Sequence, residues 1–79
     1  MEYAVDLHGM KAQEAETYLQ RCVDSCFCQG YTSIRVICGH GFVLRSMAME
    51  FLSKDPLVKN WSWSDDGGSA VVTLEENHK

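Results

Sequence analysis

Apolar Tyr3, Val5 and Leu7 alternate with Ala4, Asp6 and His8, the period-two signature of a strand with one buried face. The first strand is therefore predicted from Tyr3 to His8. After Gly9 the period changes. Ala12, Ala15, Leu19, Cys22, Val23, Cys26 and Phe27 recur at spacings of three and four, while Glu14, Glu16, Gln20, Arg21 and Asp24 take the other face. That is an amphipathic helix, and Gly30 is placed to cap its C-terminus. Its start is poorly marked, because Met10 and Lys11 stand where Ser, Thr or Asp is usual. Ser33–Cys38 returns to strand character, with Ile34 and Val36 on one face and Arg35 on the other. Leu44, Met47, Ala48, Phe51 and Leu52 restore the helical stripe, which predicts a second helix from about Val43 to Lys54, stopped by Pro56. Trp61 and Trp63 alternate with Asn60, Ser62 and Ser64. The turn formers Asp65, Asp66, Gly67 and Gly68 then lead into Ala70, Val72 and Leu74, so the last two strands form a hairpin.

The predicted order is β-α-β-α-β-β. Right-handed crossovers make the strands flanking each helix parallel and put both helices on the same side. The fold class is α/β, a two-layer sandwich with a four-stranded mixed sheet and both helices on one face. The uncovered face should then be polar, as the placement of Asp6, His8, Arg35, Ser62 and Thr73 opposite the apolar set indicates. The two tryptophans belong to the helix-covered face, so they read as core rather than as platforms for bases. One domain over residues 1–75 is expected, with a polar tail at 76–79 in which His78 has no assigned role.

Composition narrows the function classes. The 79 residues are 46% hydrophobic and 23% charged, which excludes a disordered or rod-like chain. Seven Lys and Arg against eleven Asp and Glu give a net charge of −4, which argues against nucleic-acid binding by bulk charge and leaves room for a local basic pocket. No run reaches the roughly 18 apolar residues of a membrane span. Glu2, Asp6 and His8 also fall where a signal peptide would be apolar, and the expected location is cytoplasmic. Cys22, Cys26 and Cys28 lack the paired spacing of a zinc knuckle. Together with Cys38 the thiols read as small buried hydrophobes, with a thiol or metal centre built on Cys22, Cys26, Cys28 and a histidine as the alternative.

In open α/β sheets, ligands bind beyond the carboxyl ends of the parallel strands. Two such ends occur here, Asp6-Leu7-His8-Gly9 and Cys38-Gly39-His40-Gly41. If their strands are neighbours, segments remote in the sequence meet on one rim. Asp6 and His8, two residues apart, share a face if the strand continues. A carboxylate beside an imidazole can hold its tautomer and raise its basicity. The Gly39-His40-Gly41 turn has little side-chain bulk and precedes a helix, so its N–H groups suit an anion, with Arg45 adding a cation. The turn is not a Rossmann fingerprint, since Leu44 stands where the third glycine would be, and no Gly-Lys-Ser/Thr follows to make a P-loop.

With these motifs together, the sequence resembles the Smr (small MutS-related) domain family. Asp6-Leu7-His8-Gly9 matches the family's DLHG signature, and Glu14-Ala15 falls near the start of its first helix. A glycine turn precedes Leu44-Arg45, and Gly67-Gly68 leads into the final strand. Where the family usually carries Lys or Arg between two glycines, this chain has His40. Phe42-Val43 occupies a shorter loop where the family has a further glycine. The resemblance implies a fold similar to the C-terminal domain of translation initiation factor three and endonuclease activity on DNA or RNA. Some members of the family it resembles are linked to recombination intermediates and others to mRNA on ribosomes. By position Asp6, His8, Gly9, Gly39, His40, Gly41 and Arg45 inherit the candidate site. In the catalytic reading His8, oriented by Asp6, moves a proton, and His40 assists as a second acid or phosphate contact. Gly9, Gly39, Gly41 and Arg45 hold the phosphate, with Arg35 on the polar face counted with the phosphate set. The expected partner is DNA or RNA, with the ribosome as a further candidate and no membrane. No metal ligand set is assigned, and a divalent metal is left open as a cofactor. The alternative is a module of the same fold that binds nucleic acid or the ribosome without cutting.

Overall fold

The structure, a computed structural model, describes residues 2–77; His78 and the end of the tail lie outside the described residues. Six elements follow in the predicted order: β1 (Glu2–Asp6), α1 (Ala12–Gln29), β2 (Ser33–Ile37), α2 (Phe42–Lys54), β3 (Val58–Trp63) and β4 (Ser69–Leu74). The strands form one mixed sheet in the order β1-β2-β4-β3. β1 runs parallel to β2, with Val5 opposite Val36, and β4 pairs antiparallel with both β2 and β3. Both crossovers thus keep their flanking strands parallel, and the C-terminal strand fills the gap between β2 and β3.

One face of every strand carries the core. Val5, Ile34, Val36, Ala70, Val72 and Leu74 are buried, and Ala15, Leu19, Val23, Leu44, Ala48 and Leu52 cover them from the helices. Trp61 and Trp63 pack against this cluster half-buried, with their rings edge to face at 5.3 Å. They are core, as their alternation indicates. On the uncovered face Arg35 pairs with Glu2 at 3.3 Å.

The sequence placed the ends of several elements differently. Pairing in β1 extends only through Asp6, whereas the alternation carried the strand on to His8. The Leu7 N–H still reaches the Ile37 carbonyl at 2.8 Å, but an Asp6 carboxylate oxygen takes the His8 N–H at 2.9 Å and bends the chain. α1 starts at Ala12, where a Glu14 carboxylate oxygen accepts the Lys11 N–H at 3.4 Å. Gly30, at φ 89°, ends it as expected. β3 begins earlier than the tryptophan alternation suggested, because a bulge between Val58 and Asn60 breaks the period. After β4 the chain stays attached: the Glu75 N–H bonds the Leu57 carbonyl, and the Asn77 side-chain amide donates to the Phe27 carbonyl at 3.1 Å.

Candidate functional site

Because β1 and β2 are parallel neighbours, the loops that leave them emerge side by side. Leu7 anchors the first loop. It is fully buried, a contribution of about 1.5–3 kcal/mol, so the flanking Asp6 and His8 remain exposed. Gly9, at φ 83°, turns the chain toward α1. The imidazole of His8 lies directly against the second loop: a Cβ built on Gly39 would stand 3.1 Å from its Cδ2. Gly39 has φ 74°. Both the backbone angle and the lack of a side chain are therefore used there. The two histidine-bearing motifs meet on one rim.

The roles expected of individual groups change in the structure. Asp6 was expected to orient the His8 ring, but its bonded oxygen holds the His8 backbone N–H instead. It shapes the turn that presents the ring. The Gly39 N–H was expected to face an anion. It donates to the Gly68 carbonyl at 3.0 Å, as the Cys38 N–H does at 2.9 Å. The donors left for an anion are the first N–H groups of α2, whose N-cap is Gly41 and which has neither a side-chain cap nor an acidic residue in its first turn.

Arg45 is half-buried. Its guanidinium lies 4.8 Å from the centre of the Trp63 ring, and its Nε is buried without a hydrogen-bond partner. The cation expected in the first turn of α2 is held in place by stacking on the hairpin. Arg35 lines a shallow groove with Ser62, Ser64 and Asp66 of the hairpin. It sits on the sheet face opposite α2 and pairs with Glu2.

The β3–β4 turn supplies the groups that the sequence did not single out. The His40 ring stands over Gly68, where a Cβ would be 3.2 Å from its Nε2. Beside it, Asp66 accepts the Ser64 hydroxyl at 2.7 Å and the Gly68 N–H at 3.0 Å. These two bonds, aided by the charge of His40 and opposed by partial burial, hold the Asp66 carboxyl below the usual carboxylate range. Asp66 had read only as a turn former. The signal that could have exposed it is its place two residues before a glycine that must approach His40.

The thiols behave as the apolar reading expected at three positions. Cys22, Cys26 and Cys38 are buried, while Cys28 is exposed. Burial raises the Cys38 pKa, with the nearby Arg45 charge acting against it. Burial, then the neighbouring Cys22, raises that of Cys26. Both stay protonated thiols at neutral pH. Among the described residues no three His, Cys, Asp or Glu side chains gather closely enough to hold a metal ion, and no helix is long and apolar enough to cross a membrane.

The parallel β1–β2 edge, the paired glycine-histidine loops and the uncapped α2 define a small α/β domain with a polar rim at its strand ends. Comparison with known proteins gives the family. The Smr domain model matches residues 5–75, and the chain belongs to that family. It is 32% identical over 74 residues to an endonuclease MutS2 of Geobacillus sp. (strain WCH70), covering 90% of this chain and 9% of the relative. It is likewise 32% identical over 78 residues to an endonuclease MutS2 of Clostridium botulinum (strain 657 / Type Ba4), covering 95% and 10%. The chain thus spans about a tenth of the length of these curated relatives. The crystal structure of the Smr domain of Thermus thermophilus MutS2 superposes with a TM-score of 0.87 at 27% identity, covering 92% of this chain and 98% of that one. YdaL, a stand-alone small MutS-related protein from Escherichia coli, has the same fold at 15% identity, with a TM-score of 0.86 over 92% and 64% of the two chains.

Proposed function

We propose that this domain binds the phosphodiester backbone of DNA or RNA at the start of α2 and cleaves it, with His8 as the proton-transfer group. The observation that carries the reading is the packing of the His8 ring on Gly39, which sets an imidazole beside the uncapped helix. A phosphate accepting the first N–H groups of α2 is stabilised by hydrogen bonds and by the helix dipole. The fixed charge of Arg45 adds to that attraction. His8 then takes the proton of the attacking oxygen, from water or, on RNA, from the ribose 2′-OH, as the new P–O bond forms. His40 gives a proton to the leaving oxygen as the old bond breaks. Asp6 serves by shaping the His8 turn, and Asp66 by flanking His40. Kinship with proteins described as endonucleases agrees with this chemistry.

Cleavage of labelled single-stranded RNA, duplex DNA and branched DNA, with and without divalent metal, tests the proposal. His8→Ala should lower the rate by about 10²-fold or more, as expected for loss of a general acid or base, and leave affinity nearly unchanged. A 2′,3′-cyclic phosphate end would identify the 2′-OH as nucleophile. Cleavage that survives His8→Ala in full overturns the catalytic role.

A second reading is binding without cleavage. It is favoured by the Asp6 carboxylate, which bonds the backbone rather than the His8 ring and so leaves the imidazole without that orienting partner. Salt-sensitive affinity with no turnover on any substrate would select it. A cytoplasmic location and contact with the ribosome belong to the same proposal, to be checked by fractionation and by co-sedimentation with ribosomes.

A further inference from the structure

The first turn of α2 carries a feature that phosphate binding does not use. Phe42 is 77% exposed and Val43 is 63% exposed. Phe42 has the highest exposure among the large hydrophobic residues described. It directly follows the N-cap Gly41. Single exposed apolar residues are ordinary on protein surfaces. These two are adjacent, and they stand on the very turn whose N–H groups lack a side-chain cap. Burying a phenylalanine would stabilise the fold, and a chain of 79 residues has few large apolar groups to spare.

From this placement, and resting on the phosphate-binding reading above, we infer that Phe42 is a stacking platform for an unpaired base, with Val43 beside it, and that the nucleic acid taken by this rim is single-stranded. An unpaired strand fits this ring better than a duplex. Where a phosphate sits on the start of α2, a neighbouring ring reaches a base face of a paired strand only by prising open a base step, at a cost in unstacking. An unpaired nucleotide can turn its π-face outward onto the ring. The other exposed aromatic rings are elsewhere: Tyr3 lies on β1, edge to face with Tyr31, and Tyr18 lies on α1. Trp63 carries the Arg45 guanidinium on one face. The net charge of −4 points the same way. A domain that repels polyanions at long range gains affinity from a contact that salt does not screen.

The test is anisotropy titration of the whole domain with three probes of equal length: a labelled single strand, its abasic counterpart and a duplex. The single strand should bind most tightly. Phe42→Ala should weaken it by at least about fivefold, the lower end of what one base–aromatic stack contributes. The abasic strand and the duplex should be unaffected, and the slope of log affinity against log salt should not change, since no phosphate contact is lost. Phe42→Trp should restore or exceed the original affinity. Phe42 is exposed and helical, so alanine there should leave the fold intact, which a thermal melt checks. Equal, salt-sensitive binding of all three probes, indifferent to Phe42, would overturn the stacking proposal and leave phosphate binding standing. No salt-sensitive binding to any probe would overturn both. Binding of Phe42-dependent protein to anionic vesicles, or self-association lost on Phe42→Ala, would assign the ring to a membrane or a second copy and overturn it as well.

Discussion

The two loops that make the rim are built on different principles. The loop after β1 supplies its own restraints: Asp6 accepts the His8 N–H, the Met10 N–H bonds the Leu7 carbonyl, and Glu14 accepts the Lys11 N–H at the start of α1. The loop after β2 takes its restraints from elsewhere. Its Cys38 and Gly39 N–H groups both go to Gly68, and His40 rests over Gly68 beside Asp66. The helix that follows it begins with no side-chain cap. The first loop leads into a helix that also lacks a side-chain cap but carries the acidic Glu14 in its first turn. A loop held from the hairpin leaves its helix start unanswered, and that is where an outside anion can act as the cap.

Matched glycine substitutions break this comparison most strongly. Gly9 and Gly39 both have positive φ, so alanine at either should cost about 1–2 kcal/mol from backbone strain alone. For a domain of this size that is a fall of roughly 5–15 °C in Tm. Apart from its chain neighbours, nothing lies within 4 Å of a Cβ at Gly9, whereas one at Gly39 would meet the His8 ring, in the other loop, at 3.1 Å. Gly39→Ala should therefore also shift the His8 imidazole resonances in an NMR spectrum, although the two residues are remote in sequence. Unchanged His8 resonances in Gly39→Ala would show that the second loop does not set the ring.

Supplying the missing cap is the next test. Gly41 has an extended backbone, φ −71° and ψ 138°, and its Cβ position is open. Gly41→Asp should stabilise α2 by a few tenths of a kcal/mol. The same carboxylate occupies the donors proposed for phosphate and repels it, so affinity for nucleic acid should drop by roughly tenfold, a change of about 1.4 kcal/mol. Opposite signs in a denaturation curve and a binding curve are the expected result. Glu14→Gln at the other helix is the control, with a small loss of stability and no change in binding. A Gly41→Asp variant that binds as tightly as the parent would remove the start of α2 from the site.

The same contrast explains what the sequence made legible. The first loop was readable because its parts are local. Leu7 sits in the buried alternation and Gly9 turns the chain. What misled was Asp6, since an Asp-x-His pair fits a continuing strand as well as it fits a carboxylate folded back on a backbone N–H. The second loop was readable as a glycine turn before a helix, but its partners arrive from the hairpin. Arg45 showed as a cation in a first helical turn, and nothing near it in sequence announced Trp63 as its seat. Asp66 and Gly68 read as turn formers because their second task depends on β4 entering between β2 and β3. Periodicity and crossover rules do not specify that insertion. The meeting of the two loops followed from β1 and β2 being parallel neighbours, which the sequence supplied as a condition rather than a result.

The smallest expected effect concerns the hairpin's hold on His40. The Asp66 carboxyl lies below its usual pKa in the folded domain because of the Ser64 hydroxyl, the Gly68 N–H and, more weakly, His40. A carboxyl depressed on folding contributes stability that is complete above its unfolded pKa and is lost as pH falls through the lower folded value. The acid side of the stability curve, below the ordinary carboxylate range, should therefore be shallower in Asp66→Asn, which keeps an acceptor for both bonds but has no charge to lose. His40→Ala should act through the same group in the opposite sense. With the imidazole gone, Asp66 should titrate at a higher pH than in the parent, though still below an unperturbed aspartate, because the Ser64 and Gly68 bonds remain. A carboxyl-carbon titration by NMR reads this directly. If Asp66 titrates identically with and without His40, the second loop rests on the hairpin through Gly68 alone, and Asp66 has no electrostatic part in placing that histidine.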